Sequence, residues 1–207
     1  MLITTCRLYD SYDDANRIIV ALGAANLPNL PPSEISVISN NCDTWYRAAK
    51  TANVVPLRKH GAADGKVEGA AIGAAIGATA ATTASLVTML AIPGVGAVVG
   101  AGWLAAILGG MAVGGITGGL LGALTNAGVS EEDAQVFVEG VRRGGTLLVV
   151  RVPQTELPRI EATMNHSAVK LRERGDLYRK SGWQAFDPNA VPYTADQVRS
   201  ERALHTH

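Results

Sequence analysis

The chain has 207 residues, enough for one domain or two small ones, with aromatics at only 5% and 23 glycines. Lys plus Arg equals Asp plus Glu, 18 of each, so no basic excess marks a nucleic-acid surface and no nucleic-acid partner is expected. Residues 69–130 carry no charged side chain, whereas the flanks have the mixed charge of an ordinary water-facing domain.

Leu2 onward is short, apolar and rich in Thr and Ile, which predicts a first strand over residues 2–9. Cys6 falls inside it as a small core residue; Cys6 and Cys42 are too far apart for a metal or redox spacing. Met1 to Arg7 lacks a basic run followed by an apolar one, so no signal peptide is expected and the water-facing part defaults to the cytoplasm. Asp10-Ser11 offers an N-cap, with Asp13 and Asp14 in the first turn, where the helix dipole favours negative charge. Ala15, Ile18, Ile19 and Leu22 then form one apolar stripe, with Gly23 as the stop. A Pro-rich link at 26–32 leads to a second strand at 35–39.

Residues 40–66 form a connector with a basic cast from Arg47, Lys50, Arg58 and Lys59, beside Trp45 and Tyr46. Basic and aromatic residues together are what a juxtamembrane segment presents to anionic headgroups; a solvated connector is the plain alternative. The region at 67–127, uncharged after Glu68, predicts a helical hairpin. Its first arm, 67–92, carries Gly69, Gly73 and Gly77; its second, 97–126, carries Gly110, Gly114, Gly118 and Gly122. Pro93, Gly94 and Gly96 mark the turn between the arms. Gly costs about 1 kcal/mol relative to Ala inside a helix, so a repeated Gly face implies close helix packing. Each arm is long enough, as a helix, to cross a hydrocarbon layer of about 30 Å.

Ser130 caps the next helix, whose first turn is Glu131-Glu132-Asp133 and whose C-terminal end carries Arg142-Arg143. The acidic run is thereby explained without a catalytic carboxylate. Residues 146–152 are the most strand-like in the chain, followed by a helix with Leu157, Ile160 and Met164 on one side. Val169-Lys170-Leu171-Arg172 alternates as a fourth strand, and the tail at 176–207 reads as polar and partly irregular. Without residues 40–145 the order is βαββαβ. The expected fold is therefore α+β, a ferredoxin-like domain with a long glycine-rich helical hairpin inserted between strands 2 and 3. The first βαβ half covers 1–39, and the amphipathic helix with the second half covers 128–175.

Tests for chemistry return little. Gly61 to Val67 fails the P-loop pattern, because the glycines stand one residue too close and Val67 replaces Ser or Thr. Gly100-Ala101-Gly102-Trp103-Leu104-Ala105 fits G-x-G-x-x-A, but no acidic residue follows about twenty positions on and no βαβ unit is read around it. His60, His166, His205 and His207 have no ligand-spaced partners outside the tail, and no nucleophile elbow is present. No catalytic residue, cofactor or metal is expected, and no small-molecule ligand is identified.

Several segments together resemble the bacterial general stress protein family of the heat-induced YflT type, in the variant with a glycine-zipper hydrophobic helical insert. They are Leu8-Tyr9-Asp10-Ser11 with the helix from Ala15 to Leu22, Ile35-Ser36-Val37-Ile38, and Ala91-Ile92-Pro93-Gly94-Val95-Gly96. Gly128-Val129-Ser130-Glu131-Glu132, Glu139-Gly140-Val141-Arg142-Arg143-Gly144-Gly145-Thr146-Leu147 and Ser181-Gly182-Trp183 complete the set. The resemblance implies a stress-associated protein, often a membrane protein, without catalytic residues to carry over. The loop at 26–32 departs from it, being longer and richer in Pro.

The leading expectation is a non-enzymatic stress-associated protein of the inner, cytoplasmic membrane, self-associating through transmembrane glycine-zipper helices, with its ferredoxin-like domain in the cytoplasm. The alternative is a cytoplasmic homo-oligomer with the hairpins packed in a central core, able to sense a ligand. A third is a pore or permeability factor. The partners expected are thus other copies of the chain and membrane lipid.

Overall fold

Strand β5 (Thr146–Pro153) organises the sheet. Leu147 and Val149 alternate with Leu148, Val150 and Val152, so both of its faces are apolar and both need cover. The computed structural model describes residues 2–25, 30–40, 88–92, 94–114, 119–191 and 193–204. In it β5 lies between β1 (Leu2–Tyr9) and β2 (Ile35–Ser39), antiparallel to both, in register from Leu2↔Pro153 to Tyr9↔Thr146 and from Ile35↔Val150 to Ser39↔Thr146. Beyond β2 come β4 (Gly96–Ala101) and then β3 (Thr88–Ile92), giving the order β1-β5-β2-β4-β3. The chain is a mixed α+β protein with an antiparallel sheet.

Helices cover both faces. Helices α1 (Tyr12–Ala24) and α5 (Leu157–Met164) bring Ala15, Ile18, Leu22, Ile160 and Met164 against Tyr9, Val37, Leu148, Val150 and Val152. On the other face, α2 (Trp103–Gly114), α3 (Gly119–Asn126) and α4 (Glu131–Arg142) supply Leu104, Leu108, Leu124, Phe137 and Val141 over Cys6, Leu8, Ile38, Leu147 and Val149. Full burial of one such side chain stabilises by about 1.5–3 kcal/mol. The α1 and α4 caps are as the sequence reads, with Ser11 and Ser130 accepting from the N–H groups of Asp14 and Asp133. Helix α1 runs through Gly23, which therefore does not stop it.

Three expectations need correction. Residues 88–92 and 96–101 form a β-hairpin, not the ends of two helices. Gly94 and Val95 make its turn, Gly94 at φ +72 and Val95 donating its N–H to Ile92 O at 3.1 Å. The uncharged apolar run continues into the glycine-spaced arms on either side and so mimicked a helix, but β2 has an open edge to fill, and Val98-Val99 and the Pro-Gly turn signal suit a hairpin. What remains of the second arm is two short helices, α2 and α3. The fourth strand shrinks to one bond, Val169 N–H to Leu8 O at 2.8 Å. Helix α6 (Leu171–Lys180) begins two residues later, because Leu171, Arg174, Gly175 and Tyr178 repeat at helical spacing and meet Asp10 and Val136. The tail is more ordered than expected: α7 (Ala195–Ala203) starts at a capping box of Thr194 and Gln197. The connector at 41–66 and the first arm at 67–87 lie outside the described residues.

Candidate functional site

Among the described residues β1 forms one edge of the sheet. Leu8 turns its carbonyl outward to Val169, so by the two-residue period Leu2, Thr4 and Cys6 also direct their N–H and C=O groups away from β5. Cys6 O takes one bond from Arg7 Nη1 at 2.7 Å. A groove of about 350 Å³ runs along this edge, between β1 and the start of α4, lined by Thr4, Cys6, Val129, Asp133, Phe137 and Leu171 among others. Its Ser130, Asp133 and Arg7 side chains already have partners. Ser130 Oγ donates to Asp133 Oδ2 at 2.8 Å, while Arg7 Nε donates to Asn165 Oδ1 at 2.7 Å and Nη2 to Glu161 Oε1 at 3.3 Å. Burial pushes the Cys6 thiol up from about 9 to about 12, so it is a neutral core group and not a thiolate nucleophile. The groove can therefore receive an extended backbone and an apolar side chain; it does not prepare an attacking group.

A second cluster sits at the C-terminal end of α4. The Glu139 carboxylate, 1% exposed, accepts from Arg142 Nη1 at 3.2 Å and Arg143 Nε at 2.7 Å. Arg143 also reaches Glu201 Oε1 at 2.6 Å and lies 4.2 Å over the Tyr178 ring. Burial opposes its charge, but the bonds to Glu201 and Glu139 outweigh that and raise its pKa. Arg142 lies 4.6 Å over Tyr193 and donates to Val191 O at 3.0 Å; Arg202 Nη2 donates to Gly144 O at 2.9 Å. Together these bonds lock α7 and the segment before it onto α4.

The structure brings few of the sequence-predicted packing residues together. Gly110 and Gly114 lie on α2 and Gly122 on α3, where a Cβ on Gly122 would meet nothing within 4 Å. Gly69, Gly73, Gly77, Gly118 and Pro93 lie outside the described residues. Gly94 and Gly96 sit at the β3–β4 turn and the start of β4; a Cβ on Gly94 would meet Asp187 O at 2.6 Å and the Phe186 ring. The Gly100 to Ala105 motif does span a strand-to-helix turn, from β4 to α2. However, the sheet there is antiparallel, and the Leu104 N–H at the helix start is taken by Ser36 Oγ at 3.0 Å. Among the described residues no group of three or more His, Cys, Asp or Glu side chains could hold a metal ion. The β1 groove and the Glu139 cluster both escaped the sequence reading. Glu139 stands three and four residues before Arg142 and Arg143, a spacing that allows a shared ion pair but does not reveal its burial.

Compared with protein-family models, curated proteins and solved structures, the chain matches none.

Proposed function

We propose that this chain is a non-enzymatic, self-associating protein of the general-stress type, built on a ferredoxin-like frame. The frame consists of β1, α1, β2, β5 and α5, with residues 40–145 as the insertion; β5 between β1 and β2 and both helices on one face support it. The observation that carries the proposal is the placement of the apolar insert. Leu104, Leu108, Leu120 and Leu124 point into the sheet's core, while Ile107 is 41% exposed and Gly122 opens on free space. The same helices thus finish the domain and leave a small, apolar outer surface suited to another copy.

Membrane association is the second reading, favoured by the basic residues before the charge-free stretch and by the length of that stretch in sequence. Among the described residues no helix is long and apolar enough to cross a membrane.

Purified full-length chain kept in detergent-free buffer tests the choice by light scattering behind a sizing column. A discrete multiple of 21.5 kDa is expected. A single-copy mass, or a protein held in solution by detergent alone, overturns the proposal of self-association in water.

A further inference from the structure

We propose that the outer edge of β1 is a homodimer interface, on which β1 of a second copy pairs antiparallel about a two-fold axis at Thr4 and seats its Leu2 in the groove beside Cys6. This deepens the self-association proposed above, but it uses a different surface from the apolar insert.

The edge defines its own partner. Leu2, Thr4 and Cys6 direct their backbone polar groups outward, and Val169 closes the edge at Leu8. A two-fold at Thr4 uses this whole segment, which no described residue pairs, and nothing more: Thr4 faces Thr4, Leu2 faces Cys6, and Ile3 faces Thr5. About six inter-strand hydrogen bonds result. Cys6 O keeps its bond to Arg7, because a carbonyl oxygen has two lone pairs. Moving the partner along by two residues would bring its Leu2 to Leu8, where Val169 already sits.

Side chains agree with this register. Even-numbered β1 residues point to the α4 face, where Cys6 and Leu8 are buried. The partner's Leu2, 54% exposed in the single chain, would therefore lie beside Cys6 and enter the groove near Val129 and Phe137. Each copy supplies one leucine and one groove, which is the reciprocity a two-fold interface requires. The paired residues, Leu2 to Cys6, carry no charge, and Thr opposite Thr is a favourable cross-strand pair. The free edge carries neither Lys nor Pro, the residues that commonly block strand addition.

Cross-linking tests the register. Facing Cα atoms in such a pair stand about 5.5 Å apart, within disulfide range. In a Cys42→Ser background, Thr4→Cys treated with diamide, which takes up the two thiol electrons and protons, should give a covalent dimer. It should form at least about ten-fold faster than with Glu132→Cys, an exposed control. In the natural sequence, Thr4→Pro should keep the far-ultraviolet dichroism, because the lost N–H points outward and Pro is tolerated on an edge, but should weaken the dimer at least about ten-fold. Equal cross-linking of the two cysteine variants, or an unchanged dimer in Thr4→Pro, overturns the interface. If the chain is multimeric yet Thr4→Cys does not cross-link, this interface falls and self-association stands; a single-copy mass removes both.

Discussion

Arg143 Nε donates to Glu139 Oε1 at 2.7 Å beneath the tail, and that carboxylate also serves Arg142. Removing it leaves two guanidinium groups short of a counter-charge in a largely buried place. Glu139→Ala should cost about 3–5 kcal/mol in urea unfolding. Glu201→Ala should cost less, since Arg143 keeps Glu139. A double-mutant cycle should show the two losses to be non-additive, because both carboxylates act on the same guanidinium.

Ser36 and Gly102 hold the start of α2 against β2. Ser36→Ala removes the acceptor for the Leu104 N–H and should lower stability by about 0.5–2 kcal/mol. Gly102→Ala should cost more: Gly102 has φ +88, and an added Cβ would run into Ile35 O and Ser36. Chemical denaturation of the two variants checks the order.

Burial raises Cys6 from about 9 to about 12 and Tyr178 from about 10 to about 12. In both cases the folded state favours the protonated form. Their contribution is therefore fully present below about pH 9 and is lost as pH rises from there to about 12. Unfolding free energy measured across this window should fall, and Cys6→Ala should flatten the lower part of the fall. Iodoacetamide at pH 8, followed by peptide mass analysis, should leave Cys6 unmodified in the folded chain and alkylate it in urea.

Gly122 is free of neighbours inside α3. Gly122→Ala should therefore stabilise the fold by about 0.5–1 kcal/mol through helix propensity, seen as a higher Tm. Gly122→Ile adds bulk to the outer surface of the insert. It should lower the multimer mass if copies meet there, while leaving the Thr4→Cys cross-link intact.

The caps at Ser11 and Ser130, the stripe of Ala15, Ile18 and Leu22, and β5 as a strand were all legible in the sequence. Each is set by residues within a few positions of one another, through dipoles, capping bonds and side-chain periodicity. Residues 88–101 were not, because a short uncharged apolar run such as Val95 to Ala101 is compatible with a buried helix and with a strand. The open edge of β2, supplied by distant sequence, settled which one forms. Val169 is a similar case: a four-residue alternation cannot outweigh a helix whose Arg174 meets Asp10 and whose Tyr178 ring lies under Arg143. The sequence by itself determined the helix caps, the apolar stripes and an uncharged stretch at 69–130. Only the tertiary structure decided which sheet face α2 and α3 cover, that Glu139 is buried between two arginines, and that among the described residues β1 is an edge strand beside a groove. Strand order and burial depend on contacts between residues from about sixty to about 150 positions apart, and no local pattern encodes them.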